Sequence, residues 1–174
     1  TFCSLINRNP FNGSLASGSP GVGFQATNIN IGELSTKGWD IQAIYAWDAG
    51  SHGFNIDYAA TYLTELDVIP FPGADAIECA GFFGNVCGGV VNPVNPDYRH
   101  RMLFSWFTPW SVDVSLTWRY FGSTDNDTPD ELEGKFDTVN YIDLAAVWSV
   151  TDNIQLRGTV LNLFQEDPPV FTSA

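Results

Sequence analysis

The sequence is short of positive charge. Against 20 acidic residues it carries only 7 lysines and arginines, a formal net charge of −13. Phosphate backbones are bound by clustered Lys and Arg, so a nucleic-acid partner is excluded. A polybasic patch for anionic lipid headgroups is excluded for the same reason. Long apolar runs are also absent: no stretch of about 18 apolar residues exists, so no transmembrane helix is encoded. That absence is silent about β-barrels, whose strands give only a weak alternating signal. The opening residues show no basic stretch followed by an apolar one, so no signal-peptide pattern is expected there. Histidine is scarce, and neither His52 nor His100 has a Cys or His at metal-ligand spacing. No G-x-S-x-G and no phosphate loop occurs. The acidic run Asp125, Asn126, Asp127, Asp130, Glu131, Glu133 lacks EF-hand spacing, and a solvated loop is preferred to a calcium site. No enzyme chemistry, metal or cofactor is therefore expected.

What is present is apolar and aromatic. Apolar residues make up 44% of the chain and aromatics 14%, which removes an acidic disordered tail from consideration. Of the three cysteines, Cys79 and Cys87 share one Gly- and Pro-rich stretch. That placement suits a disulfide-closed loop in an oxidising compartment, with metal binding the weaker alternative. Cys3 is left over, which points to a partner outside the chain.

From Trp39 onward the hydrophobic period is two. Trp39, Ile41, Ala43, Tyr45 and Trp47 alternate with Asp40, Gln42, Ile44 and Ala46. After a short turn over residues 48–53, Phe54, Ile56, Tyr58, Ala60 and Tyr62 alternate with Asn55, Asp57, Ala59 and Thr61. An irregular stretch rich in Pro and Gly covers about 69–97. Alternation returns at Tyr98, breaks at the tight turn Thr108-Pro109-Trp110, and resumes as Val112, Val114, Leu116, Trp118 and Tyr120. An acidic loop covers 123–137. Ile142, Leu144, Ala146 and Trp148 follow, then the turn Thr151-Asp152-Asn153, then Ile154, Leu156, Gly158 and Val160. Six strands result, with a candidate seventh around 24–31. Gly38 and Gly158 inside this pattern are expected to ease bending or to take a neighbouring ring over bare backbone.

The connections run short, long, short, long, short. Membrane barrels keep that rhythm, with short periplasmic turns and long extracellular loops. The tryptophans follow it: Trp47, Trp106, Trp110 and Trp148 flank the short turns and would form an interfacial belt. Trp39, Tyr62, Trp118, Tyr120 and Tyr141, at the far strand ends, would form an upper girdle. The competing reading is the aromatic core of a soluble sandwich. On the second face Arg99, Arg101, Arg119 and Arg157 can meet Asp40, Asp57, Asp113 and Asp143 across neighbouring strands. Charge pairing is the plain role for these arginines. Arg99, Arg101, Arg119 and Tyr141 are nevertheless the candidate ligand contacts of a lumen or loop. The expected fold is all-β, a segment of a transmembrane antiparallel β-barrel built as an up-and-down meander.

Two stretches carry a family resemblance. Asn28-Ile29-Asn30-Ile31-Gly32, followed by Thr36-Lys37-Gly38-Trp39-Asp40-Ile41, resembles a barrel strand of the TonB-dependent receptors. Leu161-Asn162-Leu163-Phe164-Gln165-Glu166-Asp167-Pro168-Pro169 resembles their NLF…PP stretch, which ends the penultimate strand. Residues Phe2–Arg8, the Cys79–Cys87 loop and Pro96–Arg101 are similar to one proteobacterial branch of the family. The resemblance implies a barrel of about 22 strands with a plugged lumen. It implies uptake of a scarce ligand, often a ferric siderophore, across the outer membrane of a Gram-negative bacterium with energy delivered through TonB. Residues 1–174 would then all belong to the barrel domain, with the plug and the final strand outside this chain. The partners implied are outer-membrane lipid, the remaining barrel and plug, the TonB complex and a small-molecule ligand. The alternatives are a secreted or surface carbohydrate-binding sandwich and a passive diffusion porin.

Overall fold

Alternation of apolar and polar residues over ten or more positions favours strands with two chemically different faces. The computed structural model describes residues 6–15, 22–24, 32–88, 91, 94–128 and 134–169. It divides into two units, residues 1–31 and 32–174. In the first, β1 (Ile6–Asn7) pairs antiparallel with β2 (Gly23–Phe24), joining Ile6 to Phe24 in register. Cys3 and most of the candidate seventh strand lie outside the described residues.

The second unit is built on one sheet. Its long strands are β3 (Glu33–Ala49), β4 (His52–Ile69), β7 (Tyr98–Phe107), β8 (Val112–Phe121), β11 (Val139–Thr151) and β12 (Ile154–Val160). Each pairs antiparallel with the next in the order β3-β4-β7-β8-β11-β12, an up-and-down meander. The turns at 50–51, 108–111 and 152–153 are tight. Gly50 (φ 65°) and Ser111 (φ 58°) take left-handed conformations there, and the Thr108 hydroxyl donates to the Val112 carbonyl at 2.6 Å. The sheet is not closed: β3 and β12 each have one unpaired edge among the described residues.

Strands β7 and β8 hold 10 residues each, matching the roughly 9–11 tilted residues that cross a bilayer. Strands β3 and β4 hold 17 and 18, so their far ends extend beyond such a layer. A register shift marks the transition, between Lys37 and Gly38. Glycine is required at 38, because a Cβ would lie 2.5 Å from the Tyr62 carbonyl oxygen. At Gly158, where easier bending or a covering ring was the expectation, a Cβ would meet nothing within 4 Å among the described residues, so no ring covers it there.

Above the bulge, Lys37 pairs with Glu65, which also accepts from the Ser35 hydroxyl at 3.1 Å. These bonds raise the Lys37 pKa and lower that of Glu65. β5 (Ile77–Glu78) then pairs with β4, setting Asp67 opposite Glu78. Desolvation, then the charge of Glu78, holds the Asp67 carboxyl above the ordinary carboxylate range. Cys79 and Cys87 are joined by a disulfide (S–S 2.09 Å) that packs with Leu66 and Val68 in a small buried cluster.

The two long connections are not the irregular and solvated loops expected. β6 (Phe82–Phe83) leads into the short helix α1 (Asn85–Gly88). β9 (Thr124–Asn126) and β10 (Lys135–Phe136) lie in the acidic connection, and β6 pairs parallel with β9 to make a second, three-stranded sheet. Phe83 stacks on Phe136 at 3.9 Å. Asp127 accepts the backbone N–H groups of Val86 and Cys87 at 3.0 and 2.8 Å. In its described part, then, the acidic run is a docking element: Asn126 is buried and the Asp127 carboxylate holds backbone of the other connection. Asp130, Glu131 and Glu133 lie outside the described residues.

Candidate functional site: the two faces of the sheet

The register sorts side chains into rows that run across the strands. On one face the row nearest the tight turns is Trp47–Phe54–Trp106–Val114–Ala146–Gly158. Above it runs Tyr45–Ile56–Phe104–Leu116–Leu144–Val160, then Ala43–Tyr58–Met102–Trp118–Ile142. Near the far ends stand Ile41–Ala60–His100–Tyr120–Asn140 and Trp39–Tyr62–Tyr98. No charged residue stands in these five rows. The face is open, with Trp39 70% and Tyr45 66% exposed. A sandwich would cover it with a second sheet, and none does so among the described residues.

The aromatic residues form two groups on this face. Near the turns Phe54 stacks between Trp47 (5.1 Å) and Trp106 (6.4 Å), and the Trp106 indole N–H donates to His52 Nδ1 at 3.1 Å. Trp110 meets His52 edge-on at 5.4 Å, and Trp148 stands opposite Val112 and Leu156. At the far end the Trp118 indole donates to Asn140 at 2.9 Å, and Tyr58 and Tyr98 share a hydroxyl–hydroxyl bond of 2.6 Å. His100 stacks on Tyr120 at 5.2 Å and meets Trp118 edge-on at 4.5 Å. Sequence reasoning noted His100 only for its lack of metal partners; counting two residues back from Met102 places it in this group. Tyr141 does not belong to the girdle. It is in register with Arg119, one residue out of step with Ile142, and so occupies the opposite face.

That opposite face is polar. Ala46–Asn55–Ser105–Ser115–Ala145–Thr159 forms its lower row, then Ile44–Asp57–Leu103–Thr117–Asp143. Above lie Gln42–Ala59–Arg101–Arg119–Tyr141 and Asp40–Thr61–Arg99–Phe121–Val139. Three of the chain's 7 cations therefore gather in two adjacent rows. Of the cross-strand ion pairs expected, only one forms among the described residues. Arg119 Nη2 reaches Asp143 at 3.0 and 3.3 Å, and its guanidinium lies 5.2 Å from the Tyr141 ring centre. Asp40 instead accepts from the Thr61 hydroxyl at 2.8 Å, and Arg157 stands opposite Val147. Arg99 and Arg101 make no ion pair with any described carboxylate. Arg101 stands directly opposite Arg119, an arrangement of like charges that costs free energy unless something negative lies between them.

A single sheet with one apolar, aromatic-rimmed face, one polar face and long connections at one end only is the wall of a membrane barrel. The family model described as "TonB dependent receptor-like, beta-barrel" matches residues 5–163. The chain belongs to that family. Comparison with curated proteins and with solved structures returns no match. The family's barrels sit in the outer membrane of Gram-negative bacteria and serve transport, not enzyme catalysis. In a receptor barrel of this kind the aromatic face is the lipid side and the polar face the lumen.

Proposed function

We propose that the chain forms wall and outer mouth of an active transporter that takes up a scarce, anionic small molecule such as a ferric siderophore, energised through TonB. The opposed Arg101 and Arg119, with Arg99 beside them, carry this reading. A chain of net charge −13 places three cations in one patch of the lumen wall, and among the described residues a carboxylate neutralises only one of them. Arg99, Arg101, Arg119 and Tyr141 are the proposed ligand contacts. Trp47, Trp106, Trp110 and Trp148 form the proposed lower membrane girdle, and Trp118 and Tyr120 part of the upper one. The remaining strands and a plug complete the barrel and meet the polar face. The docked connections, closed by the Cys79–Cys87 disulfide, stand at the extracellular mouth.

The test is uptake by cells producing the full receptor under iron limitation, fed labelled ferric siderophores, with TonB intact or disrupted. Accumulation that requires TonB is the expected result. Equal accumulation without TonB, or a steady open conductance in planar bilayers, would establish the passive porin instead. Failure to accumulate any iron chelate would refute the siderophore class.

A further inference from the structure

Two cavities in the second unit meet at one arginine. The larger, about 620 Å³, lies on the polar face and is lined by Arg99, Arg101 and Arg119 together with Asp40 and Gln42. The smaller, about 330 Å³, lies beneath the docked connections, where Phe121, Phe136, Val139 and Pro96 give it an apolar wall. Arg99 and Phe121 line both. Asp137, Tyr141 and Thr124 also line the smaller. Thr124 is 1% exposed, and its hydroxyl has no hydrogen-bond partner among the described residues. That hydroxyl exposes no surface to the chamber, so the apolar walls and the arginine forks set what the space can hold. Arg119 Nη2 is held by Asp143, while its Nε, like both ring nitrogens of His100, is buried with no partner among the described residues.

We propose that the two chambers are one binding site for an amphipathic anion, a carboxylate attached to a compact aryl or alicyclic body. The carboxylate sits against Arg99 and Arg101, whose planar forks match two carboxylate oxygens, and relieves the repulsion between Arg101 and Arg119. The body rests in the apolar chamber on Phe121 and Phe136. A neutral sugar would leave the arginines unanswered. A small hydrophilic anion would leave the upper chamber empty. The site names a substrate class for the transporter proposed above and rests on that reading for its purpose, though binding itself needs no energy input.

The test uses the full receptor in detergent and three probes: naphthalene-2-carboxylate, its neutral counterpart naphthalene-2-methanol, and acetate. Calorimetry should show the naphthoate bound at least about tenfold more tightly than either of the others, since only it both fills the apolar chamber and meets the arginines with a negative charge. The double change Arg99→Gln and Arg101→Gln should reduce naphthoate to the level of the alcohol, while Arg99→Lys with Arg101→Lys keeps part of the preference. Val139→Trp, which narrows the apolar chamber, should weaken naphthoate and leave acetate unchanged. Heat-modifiable gel mobility confirms that each variant is folded. Equal affinity for all three probes would overturn the proposal. So would a double glutamine variant that binds naphthoate normally while amide exchange in the plug accelerates, because the arginines would then be holding protein. None of these measurements involves TonB, so they stand or fall apart from the uptake experiment.

Discussion

Leu116 and Thr117 are neighbours in sequence and belong to opposite faces of β8, so an arginine placed at each measures the orientation of the wall. Leu116 stands between Phe104 and Leu144 in a row without a polar atom on any side chain except the Tyr45 hydroxyl. It lies midway along a ten-residue strand, close to the bilayer midplane. Arginine on the lipid face at that depth costs about 2–4 kcal/mol. Thr117 stands between Leu103 and Asp143, in the row that also holds Asp57. An arginine there faces the lumen with carboxylates in its own row, so its cost should be close to zero. The two variants should therefore differ by about 2–4 kcal/mol, roughly 30- to 800-fold in the folding equilibrium. Urea titration of the full barrel folding into phospholipid vesicles, followed by tryptophan fluorescence, reads the difference directly. Equal shifts for Leu116→Arg and Thr117→Arg, or a larger loss at 117, would refute the assignment of faces.

Reducing the Cys79–Cys87 bond, which spans 8 positions, should cost the outer connection roughly 2–3 kcal/mol on a chain-entropy basis; amide exchange should quicken at Cys79, bonded to the Leu66 carbonyl, and stay unchanged across β7 and β8. Mass spectrometry of the unreduced protein should recover the cross-linked peptide, and free thiols at both positions would contradict it. The Asp67 pKa is raised in the fold, so its contribution to stability is full below the unfolded value and is lost as pH rises through the folded one. Exchange at the β4–β5 corner, corrected for intrinsic rate, should therefore speed up as pH climbs out of the carboxylate range, and Asp67→Asn should flatten the profile; a profile unaltered by that change would count against the Asp67–Glu78 contact. Residues 1–174 alone should aggregate or require detergent, because among the described residues β3 and β12 present unpaired N–H and C=O edges that lipid cannot satisfy. A soluble, monodisperse monomer with a sharp melt would disprove the barrel assignment.

The strand boundaries were legible because each central strand has two chemically distinct faces. Tyr98 opens β7 and Val112 opens β8 where the alternation resumes, with the tight turn between them as expected. A one-residue slip would move Arg119 into the aromatic face and Trp118 into the polar one, so the period-two pattern specifies the register. The same logic corrects Tyr141. Position near a strand end suggested the girdle, while strict alternation with Ile142 places it beside Arg119. Partners within a row were harder to foresee. Faces follow from the period, but rows follow from turn length and bulges. Hence four arginine–aspartate pairs were conceivable and only Arg119–Asp143 formed among the described residues, while Arg101 met Arg119. The docking of the two long connections was not legible at all. Phe82 and Phe83 pair in parallel with Asp125 and Asn126 more than 40 positions on, and two-residue strands leave no periodic trace.

The NLF stretch that carried the family resemblance also has a physical role in this chain, and it leads back to the lumen. Asn162 adopts φ 50°, a left-handed conformation that asparagine tolerates better than most residues, and it ends β12. Its side chain closes the turn from both sides, donating to the Glu166 carbonyl at 2.9 Å and accepting the Glu166 N–H at 2.9 Å. Its own N–H donates to Asp143 at 2.8 Å, and the next N–H, of Leu163, reaches the Ile142 carbonyl. Asp143 is the carboxylate that holds Arg119, and Arg119 covers Tyr141. One aspartate therefore ties the exit of a wall strand to the single neutralised member of the arginine patch. Arg119 is fixed in place by this chain of bonds, whereas Arg99 and Arg101 have no such tether among the described residues. The motif marks a structural joint, and the free charge that a ligand would meet lies on the neighbouring strand, β7.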